Sequence, residues 1–318
     1  MRIVELATAA ASVAIAPELG GAIVHFTVDG KPVLRPTADA ALEVRDVRRS
    51  ACYPLVPYSN RIRDAELHFA ARRHRLIRNF GTHPHAIHGV GWQRAWKLAE
   101  ASKSHARLTL HHDALGDNGG AWPWAFEATQ TFHVADLAWA DYARASSLVV
   151  TLTLRNTSGE PFPFGLGFHP FFHKEADTRL CFHAENVWQN DATQLPQTLV
   201  RVPAQWQFGR ARALCAIALD NVFTGWGRSA TLIDDALGTS VRIDADRALD
   251  RVVVYAPAGA DFVAIEPVSH VTDAFNRSAA GAAGTGMRVL PPGASFSCTM
   301  RVKAAAVASP AAAPHPVQ

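Results

Sequence analysis

Short apolar runs, broken by turn residues about every ten positions, are the feature that most constrains how this chain folds. In SLVVTLTLRN (147–156) Thr and Leu alternate, as in a strand with one buried face and one polar face. In AIVHFTVDGKPVLRP (22–36) two apolar runs flank Asp29-Gly30, which predicts a β-hairpin. Similar runs continue to position 304, and no long segment has the apolar period of a helix. The pattern predicts an all-β protein.

No break in composition and no internal repeat divides the 318 residues. We therefore predict one large β-sandwich domain over residues 1–303. Residues 304–318 are rich in Ala and Pro, and we predict that they form a disordered tail.

Charge and hydropathy exclude several classes of partner. The net charge of +3 is small for this length, and Leu76 and Ile77 interrupt the densest basic stretch, ARRHRLIR (71–78), so we expect no nucleic-acid binding. No apolar run reaches the roughly 18 residues of a membrane span. Because Glu5 interrupts the apolar N-terminal segment, we expect no signal peptide and a cytoplasmic protein.

Common cofactor and nucleophile motifs are missing. The sequence contains no G-x-x-x-x-G-K-[ST], no G-x-G-x-x-G that opens a helix and no G-x-S-x-G. Its four cysteines are far apart and form no C-x-x-C pair, as expected for buried thiols in a reducing compartment. We expect no cofactor.

Five segments place polar side chains beside Gly, Pro and aromatic residues, as pocket-forming loops do. They are YPLVPYSNRI (53–62) with Asn60 and Arg61, THPHAIHGVGW (82–92) with His83, His85 and His88, FGLGFHPFFH (164–173) with His169, LDNVFTGWGR (219–228) with Asp220 and Trp226, and AIEPVSHVTDAFN (264–276) with Glu266. A His-x-His pair can supply two metal ligands from one strand face. However, Pro84 disfavours the helix that would bring His85 and His88 together, and we predict no metal site.

Proton transfer is the better hypothesis for two of these residues. Glu266 ends the apolar strand DFVAIE, where partial desolvation would raise the pKa of its carboxyl toward the range of a general base. His169 lies between Phe168 and Phe171, in surroundings that suit a general acid near neutral pH. A buried structural histidine and a carboxylate that caps a turn fit the residue types equally well, so both alternatives stay open at this point.

Taken together, these segments resemble the aldose 1-epimerase (galactose mutarotase) family. The resemblance runs from about position 20 to 303 and rests, in the family's order, on PYSNRI, HPHAIHGVGWQRAW, WPWAFEATQTF, GLGFHPFF, LDNVFTGW and YAPAGADFVAIEPVSHVTDAFN. His-Gly-x-Gly-Trp and Glu-Pro-Val-x-His are its most specific signals. The chain departs from the pattern at Asp64-Ala65, where many relatives have a glycine-bearing turn.

The resemblance implies a large twisted β-sandwich with the site in a cleft on its concave face and without a metal. It implies that Glu266 is the general base at the C1 hydroxyl of a free aldose such as galactose or glucose, and that His169 is the general acid at the ring oxygen. His88 would be the second histidine of the site. Asn60, Arg61 and Asp220 would hold sugar hydroxyls.

Three further expectations concern the surroundings of these residues. From its residue type, Trp226 is expected to offer an aromatic face to the sugar. His83 and His85 are expected to shape the strand and loop that present His88. The Gly89-x-Gly91 turn is expected to let the backbone pass close to the ligand.

Other functions and states remain open from sequence. A glycoside hydrolase or another glycoside-processing enzyme would need a second carboxylate opposite Glu266, for which Asp220 is the candidate. A sugar-phosphate epimerase would need an arginine cluster, and Arg72, Arg73 and Arg94 are the candidates. A non-catalytic sugar-binding protein would keep the cleft but is expected to lack the base or the acid. The chain is compatible with a monomer or a homodimer.

Overall fold

The structure, a computed structural model, describes residues 1–138 and 144–306. Antiparallel strands, numbered β1 to β26 along the chain, form two large sheets and three small ones. The first large sheet contains β1 (Val4–Ala7), β2 (Ala11–Ala16), β3 (Ala22–Val28), β4 (Lys31–Pro32), β5 (Cys52–Leu55), β15 (Gly167–His173), β17 (Asn186–Asn190), β18 (Pro196–Arg201), β20 (Leu219–Thr224), β23 (Arg251–Ala256) and β24 (Phe262–Val268). The second contains β10 (Lys97–Ala101), β11 (His105–His112), β12 (Phe126–Leu137), β13 (Ala145–Asn156), β16 (Arg179–Phe182), β19 (Arg212–Ala213), β21 (Ser229–Asp234), β22 (Thr239–Ala245) and β26 (Ser295–Ala306).

Three two-stranded ribbons and several short helices complete the fold. The ribbons pair β6 (Arg61–Ile62) with β9 (Ala86–Ile87), β7 (Glu66–Phe69) with β8 (Arg72–Arg75), and β14 (Phe162–Phe164) with β25 (Arg288–Leu290). The α-helices are α1 (Asp39–Glu43), α2 (Gly116–Ala121) and α3 (Ala274–Ala279), and the 3-10 helices are Val47–Arg49, Arg63–Ala65, Gly91–Gln93 and Ala204–Trp206. No helix within residues 1–138 and 144–306 has the length and apolarity needed to cross a membrane.

The local predictions from strand periodicity are confirmed. The predicted hairpin is formed by β3 and β4, and Asp29 and Gly30 in its turn have φ values of 49° and 73°. Strand β13 spans the alternating segment, and its buried and partly exposed residues alternate from Val150 to Leu154. The all-β prediction is therefore correct in class and in these elements.

The core lies between the two large sheets. Strand β2 contacts β12, and β3 contacts β26. Phe26 on β3 and Phe132 on β12 are fully buried, as are Leu152 on β13 and Met300 on β26. Burial of large apolar side chains from both sheets is the main stabilising contribution to such a sandwich.

Two local features differ from the sequence pattern. Strand β26 continues to Ala306, and Ala304 pairs with Ser146 on one side and Val241 on the other, so the strand extends three residues past the predicted end of the domain. The rest of the predicted tail, 307–318, lies outside the described residues. Asp64 and Ala65, the departure from the family pattern, both adopt positive φ, 52° and 56°.

The sheet order matters most for function. In the first large sheet the strands run β1-β2-β3-β5-β15-β24-β23-β20-β17-β18, and β4 pairs with β3. Strands that are distant in sequence thus become neighbours at the centre of this sheet. The segments that carry His169, Glu266 and Asp220 lie on β15, β24 and β20.

Candidate functional site

A cavity of about 250 Å³ opens over the centre of the eleven-stranded sheet. We call it the cleft, and it is lined by Arg48, Tyr53, Asn60, Arg61, Phe80, His83, Ile87, His88, His169, Phe171, Asp220, Tyr255, Phe262 and Glu266. Six of the seven predicted site residues are among them.

Strand register brings the first group of cleft residues together. Strand β15 pairs with β24 so that Gly167 meets Val268 and Phe171 meets Ala264, which places His169 opposite Glu266. On its other side His169 pairs with Tyr53 of β5. Directly opposed side chains of neighbouring strands point to the same face of a sheet. Tyr53, His169 and Glu266 therefore form one row across three strands.

A second row lies two residues along each strand and faces the same side. Asp220 on β20 pairs with Tyr255 on β23, which pairs with Ala264 on β24. Ala264 in turn pairs with Phe171 on β15. The small Ala264 side chain separates two aromatic residues in this row, and Asp220 stands at its end.

Glu266 and His169 form a buried pair. Oε1 of Glu266 is 3.2 Å from Nε2 of His169, and the two residues are only 2% and 5% exposed. Burial raises the pKa of the Glu266 carboxyl well above its usual range; nearby Asp220 adds to this effect and Arg61 opposes it. Burial lowers the pKa of His169 to about 3, and the charge of Arg35 acts in the same direction. Burial thus favours the neutral form of each group.

Aromatic stacking holds the imidazole of His169 in place. Its ring stacks on Tyr53 at a centroid distance of 4.6 Å and on Phe171 at 4.4 Å, with interplanar angles of 30° and 29°. The guanidinium of Arg35 lies 4.3 Å from the centroid of the Phe171 ring. Contact with two neighbouring aromatic rings restricts the orientation of the imidazole, whose Nε2 lies 3.2 Å from Oε1 of Glu266.

His88 is fixed by reciprocal backbone hydrogen bonds with Asn60. The backbone N–H of Asn60 donates to Nδ1 of His88 at 3.0 Å, and the backbone N–H of His88 donates to the carbonyl of Asn60 at 2.9 Å. Because Nδ1 accepts a hydrogen bond, the proton of the neutral imidazole is on Nε2. Burial, assisted by His169 and Arg61, lowers the pKa of His88 well below its usual value. The ring is therefore a neutral donor.

Arg61 and Asp220 close the polar side of the cleft. Nη2 of Arg61 donates to Oδ2 of Asp220 at 3.0 Å, and Nη1 donates to Oδ1 of Asn60 at 3.1 Å. The side chains of Arg61 and Asp220 are 13% and 20% exposed. The pair keeps donor and acceptor atoms beside each other at the wall of the cleft.

Trp226 is the predicted site residue that the structure does not bring to the cleft. Its side chain is buried in the core, 3% exposed, and its indole N–H donates to the carbonyl of Ser229 at 3.1 Å. The prediction that it faces a sugar was wrong because an aromatic residue beside a turn suits a core position equally well.

The histidine-rich segment also differs in detail from the expectation. His83 lines the cleft, whereas His85 is buried, does not line the cleft, and accepts a hydrogen bond from the backbone N–H of Asp64 through Nδ1. Gly89 and Gly91 approach Val56 instead of the cleft: a Cβ atom at Gly89 would lie 2.2 Å from the Val56 carbonyl oxygen. The two glycines therefore allow close packing of two loops and not close approach to a ligand.

Several cleft residues were not predicted from sequence. Tyr53, Phe171, Tyr255 and Phe262 supply its aromatic walls. One signal was present, since Phe171 stands two positions after His169 on a strand and so shares its face. Tyr53 and Tyr255 are placed by long-range strand pairing, for which the sequence carries no local signal.

The charged residues that line the cleft are relevant to the two alternative enzymes, a glycoside hydrolase and a sugar-phosphate epimerase. Its carboxylates are Glu266 and Asp220, and Arg72, Arg73 and Arg94 do not line it. Within residues 1–138 and 144–306, no group of three or more His, Cys, Asp or Glu side chains is arranged to hold a metal ion.

Comparison with known proteins gives concordant results. A family model described as Aldose 1-epimerase matches residues 2–303. The chain is 26% identical over 297 residues to the uncharacterized protein YphB of Escherichia coli (strain K12), covering 89% of this chain and 92% of YphB. A solved structure from Escherichia coli K12, provisionally assigned as an aldose 1-epimerase, has a TM-score of 0.82 at 25% identity, covering 95% of this chain and 98% of that one.

A galactose mutarotase-like protein from Clostridium acetobutylicum also has a similar fold. Its TM-score is 0.79 at 17% identity, with 95% of this chain and 94% of that chain covered. These likenesses confirm the predicted fold, a large all-β sandwich of the galactose mutarotase-like type.

Proposed function

The chain belongs to the aldose 1-epimerase family, and we propose that it is an isomerase that interconverts the α and β anomers of a free aldose such as galactose or glucose. The observation that carries the proposal is the Glu266–His169 pair, with 3.2 Å between Oε1 and Nε2 at the base of the cleft. Mutarotation needs one proton removed and one supplied at neighbouring oxygens, and two adjacent groups with one shared proton can do both.

Proton transfer within the pair creates the reactive state. When the shared proton is on Nε2 of His169, Glu266 is a carboxylate and His169 an imidazolium. Glu266 then takes the proton of the C1 hydroxyl while a C1–O1 double bond forms and the C1–O5 bond breaks. His169 gives its proton to O5. Rotation about C1–C2 and reversal of these transfers close the ring as the other anomer, and the pair recovers its starting state.

The remaining polar residues are proposed to orient the sugar. Nε2–H of His88 donates to a sugar oxygen near the reacting carbon, since its other nitrogen is occupied by Asn60. Arg61 and Asp220 bind hydroxyls on the far side of the ring. Tyr255 and Phe262, which also line the cleft, present apolar surface to the sugar's C–H groups.

The charges of the cleft argue against two other activities. A glycoside hydrolase needs a second catalytic carboxyl, but Asp220 is engaged by Arg61 at 3.0 Å. A sugar-phosphate epimerase needs unpaired cations, and the arginines that line the cleft, Arg48 and Arg61, each pair with an aspartate. A pure binding protein has no need of a buried carboxyl with a raised pKa beside a histidine.

Polarimetry of freshly dissolved α-D-glucose and α-D-galactose tests the proposal. We expect the protein to accelerate the approach to anomeric equilibrium, and we expect Glu266→Gln and His169→Asn each to lose about 10²- to 10⁴-fold in rate. Circular dichroism verifies that the variants fold. Wild-type rates in either folded variant would refute its assigned role, and no acceleration of either sugar would refute the proposal for these substrates.

A further inference from the structure

Two aromatic walls of the cleft share one cation that does not itself line the cleft. Cζ of Arg35 lies 4.3 Å from the centroid of the Phe171 ring and 4.6 Å from that of the Phe262 ring. The two rings meet edge to face, with centroids 5.5 Å apart and an interplanar angle of 77°. Both rings line the cleft, whereas Arg35 does not. A single guanidinium thus contacts two walls that are nearly perpendicular to each other.

Arg35 is held both at its backbone and at the end of its side chain. Its backbone N–H donates to the carbonyl of Phe171 at 2.8 Å, and Nη2 donates to the carbonyl of Ser50 at 3.3 Å. Pro36 follows in the sequence and disfavours helical backbone angles at Arg35. The guanidinium therefore offers the two aromatic rings a partner whose own position is fixed by hydrogen bonds at both ends of the residue.

The imidazole of His169 depends on aromatic contacts for its orientation. In the part of the chain that the structure describes, Nδ1 of His169 is buried and has no hydrogen-bond partner in another residue. A functional histidine is commonly oriented by a hydrogen bond at the ring nitrogen that does not react. Here the Phe171 ring lies 4.4 Å from the imidazole, at an interplanar angle of 29°. A shift of Phe171 is therefore passed on to Nε2 of His169, which faces Glu266.

Arg35 also acts on His169 through its charge. An arginine stays protonated in proteins, and the charge of Arg35 adds to burial in lowering the pKa of His169. A nearby cation disfavours the imidazolium, which then gives up its proton more readily. Asp261 and Arg49 act on Arg35 itself, in opposite directions. The other titratable side chains close to the His169 ring are Tyr53, His88 and Glu266.

From these contacts we propose that Arg35 is a positioning residue: by holding Phe171, it orients the imidazole of His169 for proton transfer. Its second contact, with Phe262, keeps the adjoining wall of the cleft in place beside the first. The inference rests on the proposed function, in which His169 is the acid. It extends the groups that support proton transfer to a residue that does not line the cleft.

Two substitutions separate the shape of Arg35 from its charge. Arg35→Met removes both the planar group and the charge, whereas Arg35→Lys keeps only the charge. The measurements are kcat, KM and the pH dependence of kcat/KM for mutarotation of α-D-glucose or α-D-galactose, whichever the wild-type protein accelerates more.

The two variants are expected to differ in their pH dependence. We expect Arg35→Met to lower kcat about tenfold, with a smaller change in KM. The loss of a cation stabilises the protonated forms of the Glu266–His169 pair, so the falls of kcat/KM at acid and at basic pH should both move to higher pH. Arg35→Lys should also lower kcat but keep the wild-type pH profile.

Arg49→Met is the matched control, because Arg49 is an exposed arginine that does not line the cleft. It should leave kcat and the pH profile unchanged. Circular dichroism verifies folding, and Arg35→Gln takes the place of Arg35→Met if the latter does not fold. Wild-type kcat in the neutral variant, a lower kcat with an unmoved pH profile, or an equal effect in Arg49→Met overturns the inference while the proposed function stands. No acceleration of either sugar by the wild-type protein refutes the proposed function for these sugars, and the inference with it.

Discussion

Nε2 of His169 and Oε1 of Glu266 lie 3.2 Å apart on neighbouring antiparallel strands, opposite each other in register. Side chains in this relationship are held by two strand backbones and not by a mobile loop. Burial disfavours a charge on either group. A carboxyl and an imidazole that share one proton titrate as a unit, and the pH dependence of the proposed reaction reports on the pair.

Asp220→Asn is expected to shift the fall of kcat/KM at acid pH, the acid limb of the pH profile, to lower pH. Asp220 is the main charged neighbour that raises the pKa of Glu266, and its loss also frees the charge of Arg61, which lowers that pKa. Both changes make the Glu266 carboxylate easier to form, so the base is available at lower pH. The measurement is kcat/KM for glucose against pH, with Asp177→Asn at an exposed site as control. A limb that stays in place or moves upward would contradict the assignment of Glu266 as the base.

His88 is expected to remain neutral, with its proton on Nε2. The backbone N–H of Asn60 donates to Nδ1, and burial holds the pKa of the ring well below its usual value. Nitrogen-15 NMR of the imidazole should show an unprotonated Nδ1 and a protonated Nε2 from about pH 8 down to about pH 5.5. The ring of an exposed histidine, such as His68, serves as the internal comparison. Titration of His88 near pH 6.5, or a proton on Nδ1, would rule out its role as a fixed donor.

Strand periodicity and short motifs are local signals, and the features they determine could be predicted. The alternation in 147–156 predicted β13, and Asp29-Gly30 predicted the hairpin of β3 and β4. Family motifs identified six residues that the fold brings to one cleft. These segments fix their own conformation largely without reference to the rest of the chain.

The contacts within the cleft could not be predicted in the same way. Glu266 meets His169 only because β24 pairs with β15, and β15 with β5, in an order that does not follow the chain. Tyr53 and Tyr255 enter the cleft through the same long-range pairing. Trp226 was assigned to the cleft from sequence but lies in the core. Neighbouring polar residues do not reveal whether an indole faces a cavity or the core.

Trp226→Phe is expected to reduce stability without changing catalysis. The substitution removes the hydrogen bond to Ser229, worth about 0.5–1.5 kcal/mol, and leaves space in the core. We expect a lower free energy of unfolding in urea, with KM and kcat for mutarotation unchanged. An increase in KM with unchanged stability would instead place the indole against the sugar.

Acidification is expected to destabilise the fold between about pH 6.5 and pH 4. Burial lowers the pKa of His169 to about 3 and that of His270 to about 4, and it also lowers the pKa of His88. In this window the unfolded chain binds protons that the folded protein does not, so the free energy of unfolding falls with falling pH. Each such histidine contributes about 1.4 kcal/mol per pH unit once its unfolded form is mostly protonated. Urea unfolding at several pH values measures the slope, and a flat or rising stability would contradict the burial of neutral histidines.

Glu266→Gln is expected to make this acid sensitivity steeper. The folded-state pKa of Glu266 is raised, so above about pH 4.5 the folded protein keeps a proton that the unfolded chain has released. The contribution of Glu266 to stability is fully present below the pKa of its carboxyl in the unfolded chain, and it is lost as pH rises through the pKa in the folded protein. Glu266 therefore stabilises the fold as pH falls, whereas the buried histidines destabilise it. A glutamine does not titrate, so the opposing contribution disappears. The variant should therefore lose more stability than the wild-type protein between pH 6.5 and 4.5, by up to about 1.4 kcal/mol per pH unit. Equal slopes in the two proteins would mean that Glu266 is already ionised in the folded state and that the pair does not retain its proton.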